Sequence, residues 1–200
     1  NLIIRGYGAT VRMNKADYMS PDYKKAEWRM GFRFLSCRNV EIHGVTVRDT
    51  GGDGIYLGRS SSGRPHENIV IRDVTADNNY RQGISVITAR NLLIENCVFN
   101  NTGGTAPSAG IDLEPNRSDE ALENIIVRNC VFENNDVLGI HVYLNYLTGP
   151  VGVSVLWENN IVRGGDYGLH VRRIHPNGPH GQIVFRGCIV ENTRLNGIRV

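Results

Sequence analysis

The chain has 200 residues, enough for one domain or at most two small ones. Its 22 basic and 20 acidic side chains leave a formal charge of +2, so no strong field draws it to a polyanion and any anion-binding face has to be local. An apolar fraction of 40% excludes a disordered chain, and no apolar run approaches the ~18 residues of a membrane span. What needs explaining is a load of 23 Gly and 21 Asn against only 7 Pro.

From the first residues, Leu2 and Ile4 alternate as in a strand. Residues 12–28, with Tyr18, Pro21 and Tyr23, break the pattern and are expected to form a loop or short helix over the first coil. At Gly31 a tetrad of glycine, apolar, any residue, apolar begins. It recurs at Gly54, Gly83, Gly110, Gly139, Gly168 and Gly197, with spacings of 23, 29, 27, 29, 29 and 29. A second ladder, small polar then apolar-x-apolar, starts at Asn1, Asn39, Asn68, Asn91, Asn124, Ser154 and Gln182. Each repeat also holds a third short apolar run that ends in Asn or Asp, as in Asp77-Asn78-Asn79 and Glu133-Asn134-Asn135.

Runs this short, with period 2 and Gly or Asn breaks, are strands, and helical periodicity is absent. Three of them in ~29 residues cannot bury a face alone, whereas stacked coils about 4.8 Å apart seal one continuous core. The fold class is therefore all-β, a parallel solenoid of about seven coils with three strands per coil. Gly and Asn would recur because both tolerate positive φ where each coil bends. The phrases Gly52-Asp53-Gly54-Ile55-Tyr56-Leu57 and Gly110-Ile111-Asp112-Leu113-Glu114-Pro115-Asn116 resemble those of right-handed parallel β-helices of the pectate-lyase-like superfamily. The resemblance spans residues 1–200 and implies a polysaccharide hydrolase or lyase, outside the cell or in the periplasm. Both ends cut through the repeat, so the chain reads as one β-helix segment of a longer protein.

Period 2 sends the apolar pairs of each tetrad inward. The residue between them faces out, giving a column of Arg33, Tyr56, Ser85, Asp112, His141, His170 and Arg199. A second outward column holds Gly58, Ile87, Glu114, Tyr143 and Arg172. A merely solvated face tends toward Lys, Glu, Thr and Ser; this one holds His, Arg and Tyr with no Lys. Loops at 59–67, 115–123, 144–153 and 173–181 bracket it, as a groove for an extended oligosaccharide requires.

Asp112 and Glu114, about 6.5–7 Å apart at Cα on one strand, are the expected catalytic pair of a glycoside hydrolase, with His141 beside them. Asp53, Tyr56, Tyr143, His170, Arg172 and Arg199 are the expected substrate-binding set. Arg beside His or Tyr would equally serve β-elimination or C5 epimerisation of a uronic-acid polymer. A non-catalytic glycan-binding, adhesin or tail-spike β-helix is the third alternative. Hydrolases resembling polygalacturonases carry paired Asp and Gly-His-Gly motifs that are missing here. No cofactor is expected, although Asp53, Asp112 and Glu114 leave calcium open.

Cys97, Cys130 and Cys188 share one repeat position, with Asn160 in the coil between the last two, and read as a buried thiol ladder. Cys37 stands apart. Trp157 falls inward, Trp28 could stack on a sugar, and His175 and His180 read as loop residues. On the Asn-led strands the outward residues are Ile3, Glu41, Val70, Leu93, Ile126, Leu156 and Val184, an apolar strip with one charge. Such a strip is expected to be covered by the loops, a missing segment or a second copy of the chain. Nothing supports a nucleic-acid or membrane partner.

Overall fold

The computed structural model describes residues 1–200 other than Pro150, Ile174 and His175. The strands fall into three parallel sheets of seven, and each coil contributes one strand to every sheet. Five coils are thus flanked on both sides. The first sheet carries the Asn-led strands, from Leu2–Arg5 to His180–Arg186; the second has strands of three residues, such as Val98–Asn100. The third carries the tetrads: Phe32–Leu35, Ile55–Gly58, Gln82–Val86, Ala109–Leu113, Leu138–Tyr143, Tyr167–Arg172 and Asn196–Arg199.

Identical positions of successive coils pair in register, so the expected columns exist. Asp112 lies between Ser85 and His141, and His170 between His141 and Arg199. The core is what period 2 requires. Ile55/Leu57, Ile111/Leu113 and Ile140/Val142 come from the third sheet, Ile69/Ile71 and Ile125/Val127 from the first, and one side chain per coil from the second. Phe99 stacks on Phe132 with centroids 5.3 Å apart, and Trp157, fully buried, stacks on Phe185 at 5.9 Å.

The Asn and Gly loads have separate causes. Sixteen non-glycine residues among those described adopt φ between 49° and 61°, and eleven of them are Asn. Asp49, Asn78, Asn101, Asn134 and Asn192 end the second-sheet strands; Asp73, Asn96, Asn129 and Asn159 end those of the first. A short polar side chain is what makes the left-handed region accessible to an L-residue. The tetrad glycines do not adopt positive φ, which corrects the expectation that they serve as flexible bends. They face a crowded corner. A Cβ on Gly83 would lie 2.4 Å from the carbonyl oxygen of Gly110, and one on Gly110 would lie 2.8 Å from that of Gly139.

Residues 12–28 include the four-residue helix Lys15–Tyr18 and reach beyond the first coil. Lys15 Nζ donates to Asn78 Oδ1 at 2.9 Å, Glu27 Oε2 lies 3.2 Å from Arg81 Nε, and Arg29 sits over the rings of Tyr18 and Tyr23. The contacts fall at the corner where the second and third coils enter the third sheet.

Candidate active site on the third sheet

The strand Ala109–Leu113 carries Asp112 outward into the middle of the third sheet, yet the side chain has no exposed surface. Gln82, one coil away, holds it. Its Nε2 donates to Asp112 Oδ2 at 2.9 Å, while its Oε1 accepts from the Ala109 backbone N–H at 3.1 Å. On the other side Asp112 Oδ1 lies 2.9 Å from His141 Nδ1, close enough for an ion pair but without the alignment of a hydrogen bond. His141 is 4% exposed, and neither of its ring nitrogens has a hydrogen-bond partner. Such unsatisfied polar atoms are costly in a core, and their concentration here points to a site rather than to packing.

Glu114, two residues on, is the carboxylate that a ligand would meet first, its side chain being 22% exposed. Its Oε2 accepts from Arg81 Nη2 at 3.2 Å. Burial raises the Glu114 pKa and the Asp112 charge adds to this, against the pull of Arg81. Asp53 lies deeper, with no exposed surface, both oxygens without a hydrogen-bond partner and Oδ1 3.7 Å from Arg81 Nη1. Burial pushes it up to about 7; Asp112 and Glu114 reinforce the rise, and Arg81 and Ser85 oppose it. Arg81 therefore joins Glu27, Asp53 and Glu114, and a pocket of about 170 Å³ opens beside it, lined also by Trp28, Met30, Tyr56 and Asn116. Burial, with the Asp53 charge adding, raises the Tyr56 hydroxyl pKa.

The last coils have the opposite character. Tyr143 pairs in register with Arg172, whose guanidinium lies 5.7 Å from the Tyr143 ring centroid. Arg199 Nη1 donates to the Tyr167 hydroxyl at 3.0 Å and sits over that ring. His170 packs between His141 and Tyr167, with centroids 5.6 and 5.1 Å away. Burial, then the neighbouring His141, Arg172 and Arg199, lowers its pKa to about 4, so it is neutral at pH 7. Loops 59–65 and 115–121 meet at one side of the face, where Arg59 grips both oxygens of Asp119 at 2.7 Å.

All nine expected residues thus lie on this face. Asp112 and Glu114 are joined by Asp53 and Tyr56 around Arg81, and His141, Tyr143, His170, Arg172 and Arg199 form a neighbouring cluster. Arg81 and Gln82 escaped the sequence pattern because they precede the Gly83 tetrad. Arg81 has the parity of the outward column, whereas Gln82 has that of the inward pair Ile84 and Val86, so alternation would have sent it into the core; Ala109, Leu138, Tyr167 and Asn196 continue the Gln82 column in register.

A family model described as a right handed beta helix region matches residues 2–173. The chain belongs to this right-handed β-helix family. A curated relative of the β-helix chain is the SPbeta prophage-derived uncharacterized protein YorA of Bacillus subtilis (strain 168), 28% identical over 125 residues. The match covers 57% of this chain and 21% of that protein's length.

No group of three or more His, Cys, Asp or Glu side chains among the described residues is placed to hold a metal ion, and Asp53, Asp112 and Glu114, the trio considered for calcium, form no such group. The four cysteines of the β-helix are free. The Cys97 backbone N–H points at Cys130 Sγ at 3.4 Å, and Asn160 continues the column by accepting from the Cys130 N–H at 2.9 Å. Trp28 is 72% exposed, His180 begins a first-sheet strand, and His175 lies outside the described residues. Among the described residues no helix is long and apolar enough to cross a membrane.

On the first sheet the apolar column Ile3, Val70, Leu93, Ile126, Leu156 and Val184, interrupted by Glu41, is also in register. Over the first coils it lines a groove of about 620 Å³ beside Asn39, Asn68, Asn91 and Asn124.

Proposed function

We propose that this face cleaves a polysaccharide by hydrolysis, one of the two reactions that the resemblance to pectate-lyase-like proteins implies. The observation that carries the proposal is the chain Ala109, Gln82, Asp112, His141, which ends on an unpaired imidazole nitrogen next to Glu114, whose pKa burial raises. Groups with opposite protonation demands side by side are what general acid–base catalysis needs. In this scheme Glu114 gives its proton to the leaving glycosidic oxygen as the C–O bond breaks. Water attacks the anomeric carbon and yields a proton to His141 Nε2, while the Asp112 charge, 2.9 Å from Nδ1, stabilises the imidazolium that forms. Tyr56, Tyr143, His170, Arg172 and Arg199 contact the sugars, and Asp53 acts from beneath through Arg81.

Glu114→Gln and His141→Gln should each lower turnover about 10²-fold or more while leaving the circular dichroism spectrum unchanged. Reducing-end release from a glycan panel is the measurement; full activity in both variants removes the proposal. A second reading, β-elimination from a uronate, is favoured by His141 as base with Arg172 two strand positions from His170, and formation of an unsaturated, ultraviolet-absorbing product would select it.

A further inference from the structure

The two ends of the groove differ in charge, and the difference constrains the substrate. Asp53, Asp112 and Glu114 in the second to fourth coils, with Glu27 from the 12–28 segment, surround one cation, Arg81. In the sixth and seventh coils, Arg172 and Arg199 rest on tyrosine rings and neither has a carboxylate partner among the described residues. Most other arginines on the solenoid are answered: Arg72 and Arg128 share Glu95, Arg90 meets Glu123, and Arg186 meets Glu158. Guanidiniums held against aromatic faces but left without an anion are preorganised to accept one. At the other end the one cation, Arg81, is already surrounded by acidic side chains, so it offers a uronate no free positive charge and suits hydroxyl or acetamido groups, with the exposed Trp28 ring beside it.

Resting on the glycan-cleaving proposal above, we propose that the groove takes an anionic heteropolysaccharide, with an uncharged sugar at the Arg81–Glu114 pocket and an acidic substituent at Arg172 and Arg199. Asp112 and Arg172 are two coils apart, about 10 Å along the axis. The charge of the substrate should therefore recur at intervals rather than on every residue. A polymer carrying a carboxylate at each sugar would place one against Glu114, and an uncharged polymer would leave both guanidiniums unanswered.

Equilibrium binding to the His141→Gln protein, with turnover suppressed, provides the test. The probes are two polymers in which glucuronate alternates with an uncharged amino sugar, hyaluronan and heparosan, together with polygalacturonate and dextran. At least one alternating polymer should bind about tenfold or more tightly than polygalacturonate and dextran, and the preference should weaken as salt is raised. Adding Arg172→Gln and Arg199→Gln should reduce its affinity to that of dextran. Equal affinities, a preference for polygalacturonate, a preference that survives loss of both arginines, or no binding to any probe would each overturn the inference. Binding selectivity without turnover in the unsubstituted protein would remove the hydrolase proposal alone, whereas turnover without selectivity would remove only this one.

Discussion

A methyl group added at Gly83 would meet the Gly110 carbonyl oxygen at 2.4 Å, a backbone contact that only a shift of the chain can relieve. Gly83→Ala should cost roughly 2–4 kcal/mol, well above the ~1 kcal/mol scale of glycine's conformational entropy. Gly197→Ala makes the natural control, because the nearest atom to its added Cβ is Val190 Cγ1 at an ordinary 3.7 Å; chemical denaturation of both variants checks the contrast. Asp53 makes a pH-dependent prediction. Its folded pKa of about 7 lies above the unfolded value near 3.8, so the folded state holds the extra proton and stability falls as pH rises between those values. Asp53→Asn removes the charge and should raise Tm by several degrees at pH 8, with the gain shrinking to nothing below about pH 4. His170 runs the other way. Its folded pKa of about 4 means that its contribution to stability is lost as pH falls from 6.5 toward 4.

These residues also mark how much could be read from the sequence. Alternation placed Asp112, His141 and His170 in one outward column, because a strand offers only two directions. Alternation says nothing about what lies above a column, and Asp112 proved to be covered. Gln82 and Arg81 belong to the site through contacts that cross coils, which spacing within one repeat does not encode.

At the scale of the element, the first-sheet strands are tied by an amide ladder. Asn68 Nδ2 donates to Asn39 Oδ1 at 2.9 Å, Asn91 to Asn68 at 3.0 Å and Asn124 to Asn91 at 2.8 Å. The same asparagines hold positive φ, so one residue type serves the backbone and the stack together. Asn91→Gly keeps the conformation but breaks two ladder bonds, and should cost about 1 kcal/mol at this exposed site; Asn91→Ala should cost about 1 kcal/mol more for the left-handed backbone. Urea denaturation of the pair separates the two terms. The ladder stops after Asn124, where Ser154 Oγ accepts from the Asn124 N–H and the pairing of Leu122–Arg128 with Gly152–Glu158 shifts by one residue. The sequence announces that change by replacing Asn with Ser and then Gln. The thiol column was legible for the same reason, and since all four thiols are free, Tm should be the same with and without reductant.

The whole molecule is a stack in which each coil contacts its neighbours and little else, so stability accumulates through interfaces between coils. The acidic pocket and the arginine pair occupy different coils, and this axial separation gives the face a direction. On the proposed reading, a chain of sugars lying along it would have a defined orientation, because reversing it would bring the acidic substituent to Glu114. Fold class was fully legible from the seven tetrads. The polarity of the groove was only partly so, since it depends on Arg81 turning toward carboxylates of coils on either side.

The stacking of glycine against glycine carbonyl also sets which changes in chain length the protein can absorb. Tetrad spacings range from 23 to 29 residues while register is kept, so the differences are taken up in the loops. One residue inserted into Ala109–Leu113 would turn Ile111 and Leu113 outward and Asp112 into the core. Duplication of a whole coil would leave every contact of the same kind and would move the arginines one step farther from Glu114. Gains and losses of sequence are therefore tolerated as loop residues or as complete turns, and the intermediate sizes are closed to it.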